Sequence, residues 1–362
     1  MKNFIVLTGI VLGVWIYYRS LEFNVKNWSF ADRPELIGPL APKNIFSDAE
    51  LLLKDELFGP ESVAVLENAI YITDDSGLVK IVDGKKVKTV PICLKKCGRP
   101  LGLRHLKDEI FIIADAELGI LSVEFESGKI ETLLPSSTVI EGRTIHYAND
   151  LDFINNETII FSVSTRWQTE QFTNGLLEFA NDGRIFTLNI KTKEYKLIRD
   201  NLQFANGLQV HSDKQSILIC ETSVARISRY YFTGPKQGQL EIFSDNLPCF
   251  PDNIRNNLKG NFFVACGSTR IPDQFGFMDF IASSPNLRRL ILAMTPGKLG
   301  ILVFVATIQN YGLFLELDGN GQIIDSWHDP TGKIKLISQV TETSDAIYLG
   351  SYAHEFLAKI KK

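Results

Sequence analysis

Five residues of the 362-residue chain could together hold a hard metal ion: Glu61, Asn149, Asn206, Asp252 and Asn253. Two carboxylates and three amides supply oxygen donors only, and a charge of about −2 balances a divalent cation. Calcium suits this set, because magnesium prefers tighter octahedral geometry and no His/Cys cluster invites zinc or iron. Taken singly the residues say little, since Asn-Asp and Asn-Gly are turn dipeptides. Their setting says more, because each stands in a recurring phrase: Gly59-Pro60-Glu61-Ser62-Val63, Arg99-Pro100-Leu101-Gly102-Leu103, Ala148-Asn149-Asp150-Leu151, Ala205-Asn206-Gly207-Leu208 and Pro251-Asp252-Asn253-Ile254. Each phrase opens a strand-turn-strand sequence.

Counted at Glu61, Gly102, Asn149, Asn206 and Asp252, the phrases recur in steps of 41, 47, 57 and 46 residues. Repetition at this period, with three or four strands per unit, predicts a β-propeller, in which the first strand of every blade lies beside the central axis. Two β-sandwiches would not restart each unit with the same phrase. From about residue 45 the chain reads as short strands, such as Ala69 to Ile72, Thr158 to Val163 and Phe262 to Cys266, punctuated by Asp83-Gly84, Ser127-Gly128 and Asn320-Gly321 turns. Residues 273–294 break the pattern with helical spacing on both sides of Ser284-Pro285, which predicts a helical insertion on the propeller rim. The run Leu299 to Ile308 is read as a strand.

Residues 4–18 form an uncharged apolar run ending in Trp15-Ile16-Tyr17-Tyr18, without the small residues a signal cleavage site needs. The expectation is one uncleaved signal-anchor helix over residues 1–19, a stalk over 20–44 and a propeller over 45–362. The flanking charges, Lys2 before and Arg19, Lys26 and Arg33 after, slightly oppose a topology with the propeller outside the cytosol. Sequons at Asn27 and Asn156 favour export weakly. Cys93 and Cys97 flank a short polar stretch and could close a disulfide in an oxidising lumen, while Cys220 and Cys266 fall in apolar runs and read as core. The net charge of −4, with no basic block, argues against a nucleic-acid partner. No serine-elbow, P-loop or dinucleotide-binding phrase is present, so a serine hydrolase or nucleotide enzyme is not expected.

Several phrases, CGRPLGL (97–103), FANGLQV (204–210), ETSVARISRYYFTGPKQG (221–238), DNLPCFPDNIR (245–255) and HDPTGK (328–333), resemble the strictosidine synthase-like family, nearest its animal branch. The resemblance covers residues 45 to 358. It implies a six-bladed propeller related to the calcium-dependent paraoxonases and gluconolactonases, anchored as a single-pass type II protein of the endoplasmic reticulum or plasma membrane and acting as an arylesterase. By position, Glu61, Asn149, Asn206 and Asp252 match that superfamily's calcium ligands, and Asn253 a fifth used by paraoxonases. Asp150 matches a residue that holds a second, structural calcium in paraoxonases, a role not expected here. One departure stands out: relatives read aromatic-Thr-Asp-Ser where this chain reads Phe161-Ser162-Val163-Ser164, which leaves an acid missing at Val163. The glutamate used by plant strictosidine synthase has no counterpart, so its condensation reaction is not expected.

The expected function is therefore a membrane-tethered, calcium-dependent hydrolase of small esters or lactones, in which the cation polarises the carbonyl and a base activates water. His146, three residues before Asn149, is the candidate base. The competing expectation is a non-catalytic propeller that uses calcium structurally and binds a partner, whose identity the sequence does not encode.

Overall fold

A computed structural model describes residues 2–43, 45–93 and 96–362. Short runs of β-branched and aromatic residues pair with their successors through tight turns. Asp83 and Gly84, with φ of 50° and 73°, take the two left-handed conformations that a two-residue hairpin between Val82 and Lys85 demands. Six four-stranded antiparallel sheets result, and they are the blades of a six-bladed propeller: residues 63–90, 100–135, 148–202, 205–244 and 249–329, with the sixth from 337–361. The sixth is completed from the other end of the chain. Glu50–Leu52 pairs with Leu357–Lys361, Leu51 opposite Ala358, and so closes the ring.

The core lies between blades rather than within a single layer. Ile72 and Leu57 meet Tyr348 and Leu357 across blades six and one, Tyr71 and Leu78 meet Phe111 and Leu121 across one and two, and every remaining interface carries a similar apolar cluster. The second strand of each blade therefore buries both faces and reads as a nearly continuous apolar run, while outermost strands such as Lys85–Val90 and Tyr195–Leu202 stay partly exposed and polar.

Among the described residues five α-helices accompany the ring: α1 (Lys2–Ser20), α2 (Phe172–Glu178), α3 (Phe277–Ala282), α4 (Pro285–Met294) and α5 (Lys298–Ala306). Helices α3 to α5 fill the connection between the second and third strands of blade five, as the spacing over 273–294 predicts. The insertion is longer than expected, because the run read as a strand at 299–308 is α5. An apolar run has no periodicity to distinguish strand from helix, and Gly297, at φ 54°, starts the helix. α2, between the second and third strands of blade three, was not foreseen.

The amino-terminal expectations change most. The apolar run lies in α1, but among the described residues no helix is long and apolar enough to cross a membrane, so a spanning anchor over 1–19 finds no support. Fifteen apolar residues at ~1.5 Å each fall short of a hydrocarbon layer of roughly 30 Å. Residues 20–43 are not a free stalk either. Phe23 and Val25 are buried against α2 and α4, Arg270 and Arg288 donate to the carbonyls of Ala31 and Lys26, and Ser326 Oγ donates to Pro39 O at 2.8 Å. The segment is a strap bound across blades three to five.

Candidate metal centre and cavity

The innermost strands of blades two to five share one irregularity. In each, the register slips where the recurring phrase lies, between Pro100 and Leu103, Ala148 and Leu151, Ala205 and Leu208, and Pro251 and Ile254. Such a bulge re-aims a side chain. Chain passes chain closely here, for a Cβ on Gly207 would sit 2.4 Å from Asn253 Cα and one on Gly102 would sit 2.7 Å from Asp150 Cα. Glycine is required at both places by this contact.

Glu61, Asn149, Asn206 and Asp252 line the floor of one cavity of about 480 Å³ at the end of the axis. Asn253 is buried beside Asp252 on the same strand. Among the described residues, Glu61 Oε2 and the Oδ1 atoms of Asn149, Asn206 and Asn253 are buried and find no hydrogen-bond partner. Four orphaned acceptor oxygens in this neighbourhood are the hard donors that a cation such as calcium takes. Among the described residues no group of three His, Cys, Asp or Glu forms a metal cluster, since this set is mainly amide. Burial pushes the Glu61 carboxyl up to about 7 against the pull of Arg99, 3.6 Å away, and raises Asp252, with Glu61 adding to the effect. Without a cation, the two acids disfavour simultaneous ionisation.

In blade two the position equivalent to Asn149 and Asn206 is Leu101, one residue before Gly102. Leu101, not Gly102, lines the cavity, so blade two contributes an apolar side chain where its neighbours offer oxygen. Tyr147, Phe204 and Phe250 also line it, two residues before Asn149, Asn206 and Asp252 respectively. Tyr147 and Phe204 turn in with left-handed backbone, φ 64° and 56°, just before their strands begin, and the aromatic recurs at one offset in three phrases, so the repeat itself makes it readable. The walls contributed by Phe172, Leu176, Met278, Ile301 and Phe304 were not, because they belong to helices outside the repeat. His146 is not among the lining residues. It lies near Glu117, whose carboxyl it helps to hold down together with Lys96 and Thr169, against the opposing effect of burial.

Val163 ends the second strand of blade three and is buried in the apolar cluster with Ile112 and Phe161. The corresponding strand ends in blades one, two and four are Asp74, Asp115 and Glu221, whose carboxylates accept backbone N–H groups of adjoining loops: Ser76, Glu117 and Leu118, and Gln203. An acid at this position braces a turn. In blade three the longer loop receives its brace from Asp182, which accepts from Arg166 N.

Hydroxyls from one blade hold ligand-bearing backbone on the next. Ser338 Oγ donates to Glu61 O, Ser162 Oγ to Asn206 O and Thr222 Oγ1 to Pro251 O, at 2.6, 2.7 and 2.7 Å. Below the floor, both oxygens of Asp150 accept from the Arg255 guanidinium, so a side-chain cation sits at this carboxylate. Cys93 is bonded to Cys97. Cys266, expected as a core thiol, is buried but bonded to Cys249, which ties the first two strands of blade five; Cys220 is a buried free thiol. Asn27 and Asn156 are exposed.

The strictosidine synthase family model matches residues 149–235. The chain is similar to the adipocyte plasma membrane-associated protein of Salmo salar, 32% identical over 92% of this chain and 82% of the relative. Among solved structures it is similar to XC5397 from Xanthomonas campestris, described as a gluconolactonase, with a TM-score of 0.59, 13% identity and coverage of 94% and 96% of the two chains. It is also similar to regucalcin of Agrobacterium tumefaciens, described as a calcium-binding protein, with a TM-score of 0.56, 11% identity and coverage of 86% and 92%. At these identities the two structures speak to the fold alone.

Proposed function

Because the chain belongs to the strictosidine synthase-like family, in the branch of the adipocyte plasma membrane-associated proteins, we propose that it is a membrane-associated, calcium-dependent hydrolase of small esters or lactones. The observation that carries the reading is the group of orphaned acceptor oxygens around the floor of an apolar-walled cavity. Glu61, Asn149, Asn206, Asp252 and Asn253 would hold the cation. When bound, calcium would supply Lewis-acid polarisation of an acyl carbonyl. The chain's own residues do the rest: Phe172, Leu176 and Phe304 seat an aryl or acyl group and exclude water, while the bulged strands fix the floor. We assign proton removal from water to a floor carboxylate, Glu61 or Asp252, rather than to His146, which does not line the cavity. The gluconolactonase and calcium-binding descriptions of the structural neighbours agree with this reading.

For the membrane, the support is α1, with Leu7, Ile10, Val11, Leu12, Val14 and Trp15 exposed, together with the names of the relatives. A location at the plasma membrane or endoplasmic reticulum, with the propeller outside the cytosol and glycans at Asn27 and Asn156, accords with the two disulfides. The decisive experiment assays purified protein on aryl esters and lactones with calcium or chelator. Turnover that requires calcium is expected. Tight calcium binding without turnover on any ester or lactone would replace this reading by that of a calcium-stabilised binding module.

A further inference from the structure

The propeller axis beneath the cavity floor is plugged by charge. Asp150 is fully buried, and Arg255 grips it in a fork, Nη1 to Oδ2 at 2.7 Å and Nη2 to Oδ1 at 3.0 Å. The same Oδ2 accepts from Leu208 N at 2.8 Å. Asp150 N donates to Ser162 Oγ at 3.1 Å, and that hydroxyl donates to Asn206 O. A second layer repeats the device: Arg104 donates to Asp152 Oδ1 at 3.2 Å and to Leu208 O at 3.0 Å, and stands 3.7 Å from Asp150, while Asp152 accepts from Val210 N at 2.7 Å.

The sequence positions give this plug its meaning. Asp150 directly follows Asn149, Leu208 is two residues after Asn206, and Arg255 is two residues after Asn253. One buried carboxylate therefore touches three blades, each within two residues of an amide whose oxygen lacks a partner. Those amides stand on bulges, where the regular ladder that would fix strand position is interrupted. Something other than the ladder must set their spacing. A planar guanidinium in a two-point grip fixes both distance and orientation, which a lysine in the same place would not.

We propose that the Asp150–Arg255 pair is a positioning element that sets the mutual geometry of Asn149, Asn206 and Asn253 for cation binding. The proposal rests on the calcium reading of the floor. It excludes two simpler roles by the sign of the effect. If Arg255 acted only through its charge, which opposes a nearby cation, neutralising it would tighten calcium binding. If the pair only stabilised the fold, calcium affinity would not change in variants that still fold.

The test is calcium titration calorimetry on the full-length protein and on Arg255→Gln, Arg255→Lys and Arg104→Lys, each paired with thermal unfolding in chelator. Arg270→Lys serves as a control, for it loosens a fully buried arginine that fastens the helical cover of the cavity, where Arg270 meets Asp279 of α3, and touches none of the floor oxygens. The expected result is calcium affinity at least tenfold weaker in both Arg255 variants and about threefold weaker in Arg104→Lys, with Arg270→Lys unchanged even if its melting temperature falls as far. Unchanged or tighter binding in a folded Arg255 variant overturns the proposal. If neither Arg255 variant folds, unchanged affinity in Arg104→Lys overturns it. A wild-type protein that binds no calcium sinks the calcium reading itself, an outcome visible before any variant is compared.

Discussion

The floor and the roof of the cavity are built on opposite principles. The floor is assembled from equivalent positions in successive blades, held by hydroxyl-to-carbonyl bonds and the buried Asp150–Arg255 fork, so each of its polar groups has an assigned direction. The roof comes from one insertion in blade five, one helix in blade three and the strap, packed by Met278, Leu292 and Phe304 against Leu176 and Phe179. Its chief polar fastener is Arg288, fully buried, which donates to the carbonyls of Leu177, Ala282 and Lys26 and, among the described residues, pairs with no carboxylate. On the proposed function, a repeated floor with an unrepeated roof separates two tasks: the floor would fix the chemistry and the roof would choose what reaches it.

The largest expected effect lies in the floor. Asn206→Ala combined with Asp252→Ala should lower ester turnover by at least about 100-fold and abolish the calcium-induced rise in melting temperature; retained turnover would remove calcium from the reaction. Next comes pH. Burial raises Glu61 from 4.5 to about 7 in the folded, calcium-free protein, so the folded state binds more protons than the unfolded one across this window. In chelator this group makes stability fall as pH rises from about 4.5 to about 7, whereas calcium affinity should increase over the same range; thermal unfolding at pH 5, 6, 7 and 8 with and without calcium reads both.

The roof should answer to different changes. Phe304→Ala is expected to raise KM for an ester with a bulky apolar acyl group by about tenfold while calcium affinity stays unchanged. A parallel loss of calcium affinity would show that roof and floor are one mechanical unit. Arg288→Met should loosen the cap by roughly 1–3 kcal/mol, since it orphans buried carbonyls. Hydrogen exchange would show that loss in α2 to α4 and not in the innermost strands. The smallest effect belongs to His146→Gln, for which activity within about twofold of wild type is expected, because the side chain does not line the cavity.

This contrast also explains what could be read from the sequence. The floor repeats, so Glu61, Asn149, Asn206 and Asp252 could be aligned with one another inside a single chain, and the aromatics two positions before three of them were available to the same logic. The miscount at Gly102 arose because blade two places Leu101 at the ligand position and no polar residue marked it. The roof has no internal copy. α5 is apolar all round because Ile301 and Phe304 face the cavity while Leu302 and Val305 are exposed, which erased the periodicity that would have announced a helix. The strap escaped notice because its bonds run largely from side chains of distant blades to its backbone carbonyls, and a carbonyl leaves no trace in a residue's identity.

The closure of blade six sets an order of events in biosynthesis. Glu61 follows the Glu50–Leu52 strand by fewer than ten residues, and that strand finds its partner only when Leu357–Lys361 has emerged. Residues 357–361 must therefore be made before the ring that seats Glu61 beside the other floor oxygens can close, and until then an oxygen donor made early waits on a strand made late. Cation uptake would then certify completion: a chain truncated before residue 357 should leave the calorimeter silent for calcium even where blades two to five are already formed.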